Sequence, residues 1–311
     1  MPNEHGAALR RPPALAPGAR VALVSPAGPL RDDTDLARAV ENARALGWEP
    51  TVGEHALARR GYFAGEDEAR LADLNRAIAD DRVDGVWCLR GGYGAMRLLP
   101  ALDYDALRRR PKALVGYSDI TALHAAVGRR AGVATFHGPT ARAELTPFSR
   151  ASLERALAAG GDEPCGAAPA ARTLRPGRAR GVLAGGNLAL LAALTGTPYA
   201  PRLAGAILVL EDVNEAVYRV DRMLRQLLLA GALDGVRAIA FGECTDCPCE
   251  SDDGARTLDE VVGEVADALA VPCIAGIPVG HIADQWTVPL GAMAEIDAEG
   301  KMLRVEGEGG W

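Results

Sequence analysis

Short apolar runs alternate with amphipathic segments through the first half of the chain. Apolar positions recur at helical spacing in the segment that carries Leu71, Leu74 and Ile78. The pattern predicts helices at 33–45 and 70–79 and strands at 21–24, 49–52, 85–89 and 113–115. Strands that alternate with helices at this spacing indicate an α/β fold whose strands pair mostly in parallel.

A segment rich in Ala, Gly, Pro and Arg interrupts this pattern, and strands and helices resume after it. The pattern then predicts helices at 188–194, 219–229 and 258–269, strands at 206–210 and 236–241, and two terminal strands joined at Glu299-Gly300. The first residues are polar and Pro-rich. We therefore expect a flexible leader at 1–17, an N-terminal domain at 18–155, a linker at 156–180 and a C-terminal domain at 181–311.

Three loops of the first half follow predicted strands directly. They are Ser25 to Gly28, Arg90 to Gly94 and Gly116 to Asp119. In open α/β sheets, ligands bind at the carboxyl ends of the strands. These loops are therefore expected to converge on one crevice.

Ser118 lies at the tight turn between a buried strand and an amphipathic helix. Its hydroxyl is expected to be exposed beside the free N–H groups of the helix N-terminus, which can stabilise negative charge. This placement suits a nucleophile. The alternative is that Ser118 or Asp119 only caps the helix, since both residue types are favoured N-caps.

The stretch from Arg90 to Gly94 contains Gly91, Gly92 and Gly94 and places bare backbone at a strand end. Its N–H groups could approach a developing oxyanion, with the Asp119 N–H as a second donor. A structural glycine turn is the alternative. The chain has neither the phosphate-loop nor the dinucleotide-binding glycine pattern here, which argues against a nucleotide site of those types.

Five histidines are candidates for a general base: His5, His55, His124, His137 and His281. His5 lies in the leader and His55 in a basic surface stretch. His124 lies on the helix face that points away from the turn, and His137 fits a hydrogen-bonded structural role. We therefore favour His281, which lies in a Gly-His loop.

Glu211 directly follows a buried apolar strand, where a carboxylate is costly unless it is paired or functional. A salt bridge to Arg219 or Arg222 is the simple alternative. Ser118, Glu211 and His281 follow one another in the order that α/β-hydrolases use for their triad. The elbow of those enzymes is G-x-S-x-G, and Ile120 stands in place of its last glycine, so a different serine hydrolase is indicated.

The composition narrows the choice of ligand. A net charge of −7 and the absence of a basic run disfavour nucleic acid and anionic membranes and leave a small molecule as the expected ligand. No stretch approaches the roughly 20 apolar residues of a membrane span, so a cytoplasmic location is expected.

Six cysteines in a chain of 311 residues do not indicate a disulfide framework. Three of them, Cys244, Cys247 and Cys249, lie close together in the stretch CTDCPCE. This stretch could hold zinc or an iron–sulfur cluster if Cys273 supplied a fourth thiolate. The favoured interpretation is a reduced, partly exposed loop.

Seven motifs occur in order that together resemble the LD-carboxypeptidase family of serine peptidases. This family includes muropeptide carboxypeptidases and microcin C immunity peptidases. The similarity extends from about residue 18 to 308, and its motifs are VALVSPAGP, WCLRGGYGAMRLLP, LVGYSDITALH, HGP, GGNL, LEDVNEAVYRVDRML and VGH.

The resemblance implies a Ser118-Glu211-His281 triad. The Asp119 N–H and a glycine N–H of the Arg90 to Gly94 loop, with Gly92 as the favoured donor, would bind the oxyanion. It further implies an α/β domain that carries the serine, a smaller β-rich domain that carries Glu and His, and a homodimer without metal or cofactor.

The implied substrates are small peptides. Muropeptide members release D-alanine from a cytoplasmic murein tetrapeptide, and Arg90 is then a candidate to receive its terminal carboxylate, with a structural salt bridge as the alternative role. Immunity-type members cut an aminoacyl-nucleotide amide. A non-catalytic peptide binder would keep the same crevice.

Overall fold

The computed structural model describes residues 8–158, 164–248 and 256–307, which contain thirteen strands and eight α-helices. The strands are β1 (Arg20–Val24), β2 (Glu49–Val52), β3 (Gly85–Cys88), β4 (Ala113–Gly116), β5 (Thr135–His137), β6 (Arg172–Arg175), β7 (Arg178–Asn187), β8 (Ala206–Val213), β9 (Ala238–Thr245), β10 (Cys273–Ala275), β11 (Val288–Leu290), β12 (Met293–Asp297) and β13 (Met302–Val305). The helices are α1 (Asp33–Ala45), α2 (Asp67–Ala79), α3 (Tyr104–Arg109), α4 (Thr121–Ala131), α5 (Pro147–Leu157), α6 (Leu188–Leu194), α7 (Val217–Leu229) and α8 (Leu258–Leu269).

The first sheet has six strands in the order β11-β5-β4-β3-β1-β2. Strands β1 to β5 pair in parallel, which confirms the prediction of a mostly parallel N-terminal sheet. Apolar clusters cover both of its faces, one around Leu74 and Leu123 and the other around Trp87 and Phe136. Burial on both faces explains why β3 and β4 read as continuous apolar runs rather than as alternating patterns.

The sixth strand of this sheet, β11, comes from the C-terminal part of the chain and pairs antiparallel with β5, with Val288 opposite His137. The sequence predicted only two terminal strands, which are β12 and β13, and they do form a hairpin. The additional strand ties the C-terminal part of the chain to the N-terminal sheet.

The second sheet has seven strands in the order β13-β12-β7-β8-β9-β10-β6. Strands β7 to β10 are parallel, and antiparallel strands flank them on both sides. Helices α6, α7 and α8 contribute to one apolar cluster against this sheet. The molecule therefore has the expected mixed α/β fold in two parts, with a sheet domain at the C-terminus.

Parts of the predicted leader and linker are ordered elements of the fold. Leu9 N–H donates to the Gly291 carbonyl at 2.8 Å, and Leu15 is buried in the first domain. At the other boundary, β6 and the start of β7 fall within 156–180 and belong to the second sheet. The composition of both segments is typical of flexible chain. Buried apolar side chains order the described part of the first segment, and strand pairing orders part of the second.

Candidate active site

Ser118 occupies a strained turn at the carboxyl end of β4. Its φ is 63°, in the left-handed region that residues with a β-carbon rarely adopt. The chain passes from Ser118 through one 3₁₀ turn into α4, whose N-cap is Ile120, and no side chain caps either segment. The helix-capping alternative for Ser118 and Asp119 is therefore not what the structure shows. Strained backbone of this kind clusters at functional sites.

The glycine-rich loop after β3 lies directly against Ser118. A β-carbon placed on Gly91 would be 3.1 Å from Ser118 Oγ, so a side chain there would crowd the hydroxyl. The carbonyl of Gly91 accepts from the Gly28 N–H at 2.8 Å, which joins the loop after β1 to the same place. Gly92 has φ 105°, a conformation that favours glycine. All three predicted crevice loops thus converge.

The Asp119 side chain anchors this glycine-rich loop, a role that the sequence did not indicate. Its carboxylate is 1% exposed and accepts from the Ala95 N–H at 2.8 Å, directly after Gly94. Burial raises the pKa of Asp119 to about 6, although the Ala95 N–H and the charge of Arg70 oppose this rise. The turn at Ser118 and the loop that faces it are therefore connected by one buried carboxylate.

This buried carboxyl predicts a pH-dependent stability. Because the pKa of Asp119 is higher in the folded protein than its ordinary 3.8, folding takes up a proton between about pH 4 and pH 6. Its contribution to the free energy of unfolding is therefore present below pH 4 and falls, by roughly 2–3 kcal/mol, as the pH rises through 6. In Asp119→Asn this fall disappears because the amide does not titrate, and its oxygen can still accept from the Ala95 N–H. Urea unfolding at pH 4, 5, 6 and 7 measures it, and parallel curves for the two proteins would refute it.

Glu211 lies at the end of β8 and is fully buried. The register between β8 and β9 shifts between Leu210 and Asp212, so Glu211 sits at a bulge. Bulges next to functional sites re-aim a side chain out of the regular alternation of a strand. Here Glu211 Oε2 lies 2.8 Å from His281 Nδ1.

His281 follows Gly280, whose φ of 132° allows the loop to approach Glu211 closely. A β-carbon on Gly280 would lie 3.3 Å from Glu211 Cβ. The hydroxyl of Thr245 donates to the His281 carbonyl at 3.1 Å and fixes the loop from the other side. The imidazole is therefore oriented through its Nδ1, with its other ring nitrogen free of that contact.

The two halves of the candidate site meet through Tyr117. This residue directly precedes Ser118, and its ring centroid lies 4.8 Å from that of His281. In the same region, the Asn187 N–H at the end of β7 donates to Thr121 Oγ1 at 3.0 Å. The structure thus brings the predicted serine, glutamate and histidine to one junction of the two domains.

Neighbouring residues that competed for these roles have other partners. Arg219 lies 3.6 Å from Glu215 and stacks on Tyr218, so the simple ion pair proposed for Glu211 is replaced by the contact with His281. Asp212 accepts from the Asn187 amide at 3.0 Å and from the Ala189 N–H at 2.9 Å, at the start of α6. It therefore has a local structural role.

Two other histidines have partners elsewhere, and His5 lies outside the described residues. His55 Nδ1 lies 3.1 Å from Asp73, and His124 Nε2 lies 2.8 Å from the Gly116 carbonyl.

His137 packs near Tyr117, with ring centroids 6.1 Å apart, but neither of its ring nitrogens has a hydrogen-bond partner within the described residues, so the predicted hydrogen-bonded role is wrong. Burial lowers the pKa of His124 to about 4, and it lowers the pKa of fully buried His137 well below its usual value. Both of these groups are neutral at ordinary pH.

The cysteine-rich stretch differs from the expected reduced loop. Cys244 and Cys247 are bonded to each other in a turn at the end of β9, while Cys249 lies outside the described residues. The left-handed Asp246 between them closes the turn. Cys273 is a buried free thiol opposite Ile239, at the far end of β9, and is not placed to join them.

Among the residues that the structure describes, one group has metal-ligand spacing: Glu54, His55 and Asp73. Its donor atoms already have protein partners, since Asp73 accepts from His55 and Glu54 pairs with Arg76 at 3.0 Å. No helix within the described ranges of the chain is long and apolar enough to cross a membrane.

Comparison with known proteins agrees with this architecture. Residues 21–138 match the model of the LD-carboxypeptidase N-terminal domain, and residues 180–296 match that of the C-terminal domain. These matches define a serine-type carboxypeptidase, which is a peptide hydrolase. The chain belongs to the LD-carboxypeptidase family.

Individual relatives cover almost the whole chain. A putative carboxypeptidase of Streptomyces coelicolor is 42% identical over 96% of this chain and 96% of its own length. The murein tetrapeptide carboxypeptidase of Pseudomonas aeruginosa is 39% identical over 92% of this chain and 94% of its own. Among solved structures, an MccF-like protein from Bacillus anthracis superposes with a TM-score of 0.86 at 25% identity, over 95% of this chain and 98% of its own.

Proposed function

We propose that this protein removes the terminal D-alanine from a murein tetrapeptide, with Ser118 as nucleophile, His281 as general base and Glu211 as the residue that orients the base. The observation that carries the proposal is the 2.8 Å contact between buried Glu211 and His281 beside the strained Ser118 turn. A buried carboxylate on one imidazole nitrogen leaves the other nitrogen as proton acceptor, which is the chemistry of serine hydrolases.

In the proposed reaction, His281 takes the Ser118 proton as Oγ attacks the amide carbonyl, and the negative charge of Glu211 stabilises the imidazolium that forms. The developing oxyanion accepts from the backbone N–H groups of Asp119 and Gly92, both in loops that meet at Ser118. His281 then protonates the leaving D-amino acid. Water hydrolyses the acyl-enzyme, with His281 again as base.

The proposed substrate rests on the relatives. One relative with 39% identity is a murein tetrapeptide carboxypeptidase, and another, 33% identical, is a probable murein peptide carboxypeptidase of Bacillus subtilis. Cleavage of an aminoacyl-nucleotide amide is the second candidate, because solved relatives include a microcin C7 self-immunity protein bound to aspartyl sulfamoyl adenosine, at a TM-score of 0.85. The homodimer and the cytoplasmic location remain predictions.

A panel of substrates tests the proposal. The purified protein is incubated with tetrapeptides whose last bond is L,D or D,D, and with an aminoacyl sulfamoyl adenosine, and the products are identified by mass spectrometry. We expect D-alanine from the L,D-linked peptide alone. Hydrolysis of the nucleotide amide alone would establish the second candidate, and binding of the L,D peptide without any cleavage would establish a non-catalytic binder.

A further inference from the structure

Arg142 lies in the segment after β5, and its backbone is fixed on both sides. The Asn42 side-chain amide donates to the carbonyls of Ala141 and Ala143, both at 2.8 Å. The Ala141 N–H donates to the Cys88 carbonyl at 3.0 Å, at the end of β3. The guanidinium of Arg142 therefore projects from a rigid position, which is the requirement for selective binding of a ligand.

This rigid segment lies beside the loop that faces Ser118. Cys88 is only two residues before Arg90, and the Trp87 indole also donates to the Pro139 carbonyl, at 2.7 Å. A β-carbon on Gly28 would lie 3.8 Å from Arg90 Nε and 2.9 Å from the Gly91 carbonyl, so Arg90 borders the same loops. Arg142 and Arg90 thus both belong to segments at the carboxyl edge of the first sheet, and Arg142 also acts electrostatically on Tyr117, the residue before Ser118.

Positive charge at this edge exceeds the negative charge near it. Arg31, Arg59 and Arg142 all act electrostatically on Arg90, and Asp35 is the acid that opposes them. Arg142 Nη1 lies 3.4 Å from Asp35, while its buried Nε has no hydrogen-bond partner within the described residues. In a protein of net charge −7, a surplus of cations with an unsatisfied donor at the edge of the sheet that carries Ser118 indicates a site for an anion.

We infer that Arg142, together with Arg90, receives the terminal carboxylate of the substrate and so makes the protein select peptides with a free C-terminus. This inference rests on the proposed function and adds the residue that sets its exopeptidase character. Two guanidinium groups suit a planar carboxylate because each offers N–H donors in a fixed fork. The contact also places the last amide bond, rather than an internal one, at Ser118.

The test compares the L,D-linked tetrapeptide with its C-terminal amide. For the wild type, we expect kcat/KM to be higher on the acid than on the amide by about 10- to 100-fold, the range of hydrogen bonds to a charged group. Arg142→Gln should lose most of this preference by lowering kcat/KM on the acid alone, while Arg142→Lys should retain part of it. Release of D-alanine from the acid and of D-alaninamide from the amide is measured for each protein by mass spectrometry.

Controls separate this contact from a structural effect. Arg38→Gln removes an exposed guanidinium that donates to the Arg142 carbonyl, and its kcat/KM should stay within about twofold of the wild type. If Arg142→Gln fails to fold because Asp35 loses its partner, the double variant Arg142→Gln/Asp35→Asn is measured in its place, since it leaves no unpaired carboxylate at Asp35. If Arg142→Gln lowered kcat/KM equally on the acid and the amide, or on neither, this inference would be overturned while the proposed function would stand. Cleavage of neither peptide by the wild type would overturn the proposed function, and this inference with it.

Discussion

The Ser118→Ala variant is expected to release D-alanine at least about 10⁴-fold more slowly than the wild type, because alanine has no oxygen to form the acyl-enzyme. The fold should be retained. Alanine adopts the left-handed conformation of Ser118 with similar difficulty, and the serine hydroxyl caps no helix. The temperature of unfolding should therefore stay within a few degrees of the wild-type value.

Two further measurements test whether Ser118 is the nucleophile. A fluorophosphonate should label the wild type at one residue, found by peptide mass, and should not label Ser118→Ala. Calorimetric titration with the uncleaved tetrapeptide should show that the variant still binds substrate. A variant that keeps turnover, or a label on another residue, would contradict the assignment.

Much of the fold could be predicted from the sequence because local pattern and tertiary environment agree. Helix α1 begins after Asp32, whose side chain accepts from the Thr34 N–H, and it ends before Gly47, as the pattern indicated. Helix α8 likewise begins at a capping box formed by Thr257 and Glu260. These signals lie within a few residues of the element that they define.

Long-range placement could not be predicted in this way. Strand β11 is a three-residue apolar run, and nothing local shows that it pairs with β5 about 150 residues earlier instead of with its neighbour β12. The ordered part of the predicted leader also depends on contacts with distant residues. Leu9 and Leu15 are held by Gly291 and Leu157, partners that only the folded chain brings near.

The candidate site shows the same division. The motifs around Ser118, Glu211 and His281 were visible, yet the bulge that turns Glu211 toward His281 arises from the pairing of β8 with β9. Arg142 carries no motif at all. Contacts of Pro139 and Ala141 with β3 bring the Arg142 segment to the same edge of the sheet as Arg90. The sequence therefore indicated only Arg90, which lies in a recognisable glycine-rich loop.

Exchanging Glu211 for glutamine is expected to lower kcat by about 10³- to 10⁴-fold with little loss of stability. The amide has the shape of the carboxylate but not the charge that stabilises the His281 imidazolium. Folding should tolerate the change because Glu211 is fully buried and its Oε1 has no hydrogen-bond partner among the described residues, so a neutral group avoids a desolvation cost. The measurements are steady-state D-alanine release and urea unfolding.

Asp212→Asn is the matched control, since it removes the charge of the adjacent acid. Burial raises the pKa of Asp212 to about 6, but its oxygens accept from Asn187 and Ala189 at α6 and do not contact His281. We expect kcat to remain within about threefold of the wild type and the free energy of unfolding to change by about 1 kcal/mol. If Asp212→Asn instead lost as much turnover as Glu211→Gln, Glu211 could not be the specific partner of the base, because two acids would share that role.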